Sequence, residues 1–144
     1  MWHRLKHIVH DLRAYPYLSP DLKLRRQVLN FLHQRPLLSL AEWYATHGKT
    51  HNLSFAVTEF AYEHLGKYAG IEFGRTLPGD RLEDDLCWTQ ICWFDWYLSL
   101  CDDFHHHFGI DLSGELSNIP TTTIGALLTF LEDHRQPINQ PSNG

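Results

Sequence analysis

Cys101, Asp102, Asp103, His105, His106 and His107 stand together in the stretch LCDDFHHHFG, from Leu100 to Gly109. Each of these side chains can bind a borderline transition metal, so zinc binding is the first chemistry to weigh. Helical geometry limits it. Successive helical residues diverge by about 100°, so three adjacent histidines cannot converge on one ion while the helix is intact. Residues four apart do share a face: Cys101 with His105, Asp102 with His106, and Asp103 with His107. Each pair supplies two ligands where a closed zinc site takes about four. Cys101 and His105 are the candidate metal pair, and their missing ligands would have to come from elsewhere in the fold or from another chain. The simpler expectation is a histidine-rich last turn, favoured by the negative end of the helix dipole and by carbonyls that need donors. No metal or other cofactor is expected. His3, His7 and His10 make a second stripe, on the polar side of an amphipathic segment.

Other chemistries find less support. Cys87, Cys92 and Cys101 contain no CxxC pair, and their odd number argues against a disulfide framework and for reduced thiols in a cytoplasmic setting. Cys92 is the one cysteine-nucleophile candidate, but no fixed basic neighbour would lower its pKa. The chain has no GxSxG, HExxH, P-loop or dinucleotide glycine pattern. A non-enzymatic role is the expectation. The formal net charge is −5 with 12 Lys and Arg, so no basic stripe exists to follow a phosphate backbone, and nucleic-acid binding is not expected. No apolar run is long enough to span a bilayer, and the first ten residues lack a signal-peptide core. Eleven histidines make the net charge swing steeply just below pH 7.

The elements that must position these residues read as helices throughout. Trp2, Leu5, Ile8, Val9 and Leu12 share one side of a first helix. Ser19 and Pro20 then open a second, expected to stop before Pro36. Ser39 and Glu42 form a capping box for a third, with Gly48 as its C-cap. The stretch LSFAVTEFAYEHLGKYAG spaces Phe55, Val57, Phe60, Ala61, Leu65 and Tyr68 for a fourth. A long loop follows, closed by a turn with Asp80 and Glu83 as its capping pair. A long helix is expected over 89–107, stopped by Gly109. One more turn and a threonine-capped helix with Ile124, Leu127, Leu128 and Leu131 inside complete an all-α chain. The expected organisation is an N-terminal helical extension over 1–50, a helical domain over 51–135 and a disordered tail over 136–144.

On the expected 89–107 helix, Ile91, Trp93, Phe94, Tyr97, Leu98, Leu100, Cys101, Phe104 and Phe108 fill about half the circumference. Asp95, Ser99, Asp102, Asp103 and His106 take the other half, and Trp96 extends beyond the apolar arc. That arc is wider than the roughly 100° stripe a surface helix needs, so something must cover it. The N-terminal helices, with Trp2, Tyr15, Tyr17, Phe31, Leu32 and Trp43, are the expected cover, and a symmetric homodimer is the alternative.

The segment from about Ser54 to His134 resembles an acyl carrier protein. The likeness lies in the acidic-leucine turn DRLEDDL, the long helix ending FHHHFGIDL and the final helix IPTTTIGALLTFLEDH. It is similar to bacterial carrier-like proteins that read FGVDLSG where this chain reads FGIDLSG. The resemblance implies an acyl-carrier-like helical bundle. A working carrier has Asp-Ser-Leu at the start of its second helix, and that serine holds phosphopantetheine. Here the matching position falls on Phe94 counting back from Phe108, or on Gln90 counting forward from Leu86, and neither can form the phosphoester. The expectation is a carrier-like, non-catalytic interaction or adaptor module without the prosthetic arm. Its partner would be a protein, met on Trp93, Asp95, Trp96, Asp102 and Asp103, because aromatics within an acidic rim suit a binding hot spot. A zinc-binding protein and an atypical acyl carrier are the alternatives.

Overall fold

A computed structural model describes residues 19–135 of this chain. The helix expected over 2–12, with His3, His7 and His10, and the tail 136–144 lie outside the described residues.

The first described helix, α1 (Leu22–Leu32), is capped by Asp21 rather than by Ser19. The Asp21 carboxylate accepts from the Leu24 N–H at 3.0 Å, a bond a serine two residues earlier cannot reach. Val28 and Leu32 bury its inner face. The helix α2 (Leu40–Trp43) opens with the expected Ser39–Glu42 capping box. It runs on through a π turn (Tyr44–Gly48) and a 3-10 turn (Lys49–His51). Gly48 is therefore not the C-cap: its φ is −63°, and the left-handed stop is Asn52 at φ 58°. Gly48 is needed for close packing instead. A Cβ there would meet the Tyr44 ring at 2.7 Å and the Thr58 hydroxyl at 3.0 Å.

The central helix is α3 (Phe55–Ala69), capped by Ser54 and stopped by Gly70 at φ 71°. Val57, Phe60, Ala61, Leu65 and Ala69 are buried on it, whereas Phe55, expected inside, stays 43% exposed against the edge of Tyr44. In the loop that follows, Asp80 does not pair with Glu83 as a cap. Its buried carboxylate accepts two bonds from Arg35, at 2.8 and 3.0 Å, and so ties the N-terminal part of the chain to the loop. Glu83 instead accepts from the Thr89 hydroxyl at 2.8 Å, at the start of α4 (Trp88–Ile91).

The single helix expected over 89–107 is two. After α4 the chain is extended at Cys92 (φ −91°, ψ 162°) and resumes as α5 (Trp96–Phe108), which Gly109 stops at φ 75° as expected. Neither proline nor glycine causes the break. In one continuous helix, residues eight apart would be separated by about 12 Å along the axis. The break lets the Trp88 and Trp96 indoles meet edge to face at 5.8 Å and sinks Trp88, Ile91, Cys92 and Trp96 together. Apolar burial has overridden local helix preference.

A 3-10 turn (Ser113–Asn118) leads to α6 (Ile124–Arg135), where the Thr123 hydroxyl accepts from the Ala126 N–H. Ile124, Leu127, Leu128 and Leu131 are fully buried, as their spacing predicts. Among the described residues the regular structure is helical, with one isolated bridge between Arg81 and Thr123. Val28, Leu32 and Trp43 belong to the same core cluster as Leu65, Leu82, Leu100 and Leu127, so residues 19–50 and 51–135 bury their apolar faces against each other. Among the described residues no helix is long and apolar enough to cross a membrane.

Candidate functional site

The break between α4 and α5 re-aims the aromatic run CWFDWY. Phe94 and Tyr97, expected on the covered arc, are 38% and 37% exposed. Trp96, expected to protrude, keeps only 7% of its surface, and Asp95 keeps 1%. An open groove of about 430 Å³ results. Thr89, Phe94, Trp96 and Tyr97 line it together with Leu116, Ile119 and Thr121. The Trp96 and Tyr97 rings stand nearly perpendicular at 6.3 Å, a favourable edge-to-face arrangement. Glu83 accepts from Thr89 and so stands beside the groove, while the next two acids of the turn, Asp84 and Asp85, share the Arg81 guanidinium at 3.4 and 3.3 Å.

The five expected contact residues therefore part company. Trp93 is half-buried and Asp102 is exposed. Trp96 contributes an edge to the groove but is otherwise core. Asp95 lies under the break instead of on a rim. Its Oδ2 has no hydrogen-bond partner, and burial pushes its carboxyl above the ordinary range. Asp103 is half-buried against α3: it accepts from the Tyr68 hydroxyl at 2.6 Å, and the Nδ1 of His64 lies 3.4 Å from the same oxygen. Burial and this carboxylate together push the Tyr68 phenol up. Burial lowers the His64 pKa, outweighing the opposite pull of Asp103. The groove residues Leu116, Ile119 and Thr121 carry no sequence signal, because they come from a turn and a loop with no periodic face.

The histidines of the last turn diverge as helical geometry requires. His105, His106 and His107 are all exposed, and His107 leans on the rings of Phe60 and Phe108. Cys101 is buried, and burial pushes its thiol up to about 11. Among the described residues, no group of three or more His, Cys, Asp or Glu side chains is placed to hold a metal ion. Cys87, Cys92 and Cys101 are all free thiols, each with its pKa raised first of all by burial. That is the opposite of thiolate activation. Phe94 and Gln90 both present exposed side chains. Of the nearest hydroxyls, Thr89 donates to Glu83, and Ser99 is half-buried on α5.

No family model, curated protein or solved structure matches this chain.

Proposed function

We propose that this chain is a non-catalytic, acyl-carrier-like adaptor without a phosphopantetheine arm, which binds a protein partner through the groove at the start of α5. The observation that carries this reading is the pair of outward aromatics, Phe94 and Tyr97, beside an apolar groove. Exposed aromatics around a desolvated floor such as Trp96 are the usual make-up of a binding hot spot. The absence of a hydroxyl at Phe94 or Gln90 supports a module that has no arm to present.

The groove sets the chemistry of its occupant. Its lining is mainly aromatic and aliphatic, with Thr89 and Thr121, and the adjoining turn holds Glu83 beside the Arg81-paired Asp84 and Asp85 in a chain of net charge −5. A fitting partner offers a helical or extended segment with a row of apolar side chains and a basic flank.

The test is a photo-crosslinking residue at Tyr97, with Lys67, an exposed position on α3, as the control. The protein is expressed in its own organism. One defined partner crosslinked through such a segment from position 97, and not from 67, is the expected result. No partner at 97, or the same partners at both positions, overturns the reading. Intact mass measured on the same preparation tests the alternatives. A covalent phosphopantetheine increment would make the chain a carrier, and a stoichiometric zinc increment would make it a metal protein.

A further inference from the structure

We infer that residues 1–18 of the same chain are a built-in occupant of the aromatic groove and compete with the partner for it. This rests on the groove being a docking site, as proposed above. Residues 1–18 lie outside the described residues, and their sequence and point of attachment carry the assignment.

Attachment comes first. The backbone N–H of Asp21 donates to the Gln90 carbonyl at 2.8 Å, and Arg25 donates to the Ile91 carbonyl at 2.6 Å. The chain therefore enters the fold against α4, beside Thr89, which lines the groove. Eight residues lie between Leu12 and Asp21, nine Cα steps with an extended reach of about 30 Å, so the apolar positions up to Leu12 are within reach of the groove beside Thr89. A tether this short holds its free end at roughly millimolar effective concentration.

Chemistry comes second. Trp2, Leu5, Ile8, Val9 and Leu12 recur at helical spacing, which is the apolar row the groove calls for. The same segment has Arg4, Lys6 and Arg13 against a single acidic residue, Asp11. It is thus a basic stretch in an otherwise acidic chain, attached near Glu83, whose neighbours Asp84 and Asp85 share the single guanidinium of Arg81. Apolar pattern, charge and tether agree on one occupant.

The experiment uses the full-length protein and a fluorescent synthetic peptide of residues 1–18, read by anisotropy. The peptide should bind wild type weakly, because the groove is occupied. It should bind a chain with Leu5→Asp and Ile8→Asp about tenfold more tightly, the factor expected when a millimolar tethered competitor of modest affinity is removed. Adding Tyr97→Asp to that chain should abolish binding. Since Tyr97 is exposed and positions 5 and 8 lie outside the described core, circular dichroism should show all the chains equally helical. Equal affinity for wild type and the Leu5→Asp/Ile8→Asp chain, or binding to neither, overturns the inference. So does a wild-type dimer that falls apart with Leu5→Asp/Ile8→Asp, because the segment would then be filling a second copy. If the peptide fails while position 97 still crosslinks a protein, the inference falls and the adaptor reading stands. If the peptide binds as expected and no partner is captured, the adaptor reading falls alone.

Discussion

Asp95 shows how far a residue's meaning depends on one backbone turn. On a straight helix it would have been a solvated acid beside Trp96. Beneath the α4–α5 break it is buried with an unpartnered oxygen and a raised pKa. The folded state holds this proton more tightly than the unfolded chain does. Between the ordinary carboxylate value of about 3.9 and the raised folded value, the folded state therefore binds more protons. Stability is lost as pH rises through that window, and the loss is complete at neutral pH. Asp95→Asn is expected to melt at a higher temperature than wild type at pH 7, with the gap closing near pH 3; thermal unfolding at the two pH values checks this. Asp80 has the opposite role, since its buried carboxylate is matched by the Arg35 fork. Asp80→Ala leaves a mostly buried guanidinium without its counter-charge, and should cost about 2–4 kcal/mol in urea unfolding.

At the scale of elements, the break decides which aromatics hold the fold and which face outward. Trp96→Ala removes a side chain packed on Trp88 and should cost about 3–5 kcal/mol, whereas Phe94→Ala, at an exposed position, should cost under about 1 kcal/mol. The reverse order, Phe94→Ala costing more than Trp96→Ala, is what a single continuous helix would give. The α2 segment offers a second discrimination. If Gly48 were a left-handed cap, its replacement would suffer backbone strain alone. Because it sits at φ −63° against Tyr44 and α3, Gly48→Ala should instead overpack the contact, costing about 1–3 kcal/mol. Trimming the facing ring with Tyr44→Leu in the same chain should recover part of that loss, which chemical denaturation of the single and double variants would measure.

At the scale of the whole molecule, α1 and α2 pack into the core of the remaining helices, which Val28, Leu32 and Trp43 share. They answer in part the question of what covers the aromatic arc: α1 packs on α4, with Arg25 donating to the Ile91 carbonyl, whereas Trp43 packs on His47 and Phe73, and Phe94 and Tyr97 are 38% and 37% exposed. Among the described residues, the groove is left uncovered. Partner binding there should weaken with added salt if a basic flank meets the acidic turn, since exposed charges are screened within about 8–10 Å at physiological ionic strength. Binding affinity at 50 and 500 mM salt checks this, and an unchanged value would leave only the apolar contact.

The sequence by itself determined the elements whose causes are local. The Ser39–Glu42 box, the Gly109 stop, the threonine start and buried row of α6, and the divergence of three adjacent histidines all follow from helical geometry and nearby hydrogen bonds. It did not determine where the α4–α5 helix breaks, that Asp80 would seek Arg35 in place of Glu83, or that Asp103 would turn toward Tyr68. Those outcomes depend on partners 35 to 45 residues away, or on two indoles gaining more from meeting than a helix loses by bending. The groove exists because of that exchange. Its walls come from a helix break, a 3-10 turn and a loop, so no periodicity within any one segment marks it. Only tertiary burial, which trades a few helical hydrogen bonds for apolar contact, brings its walls together.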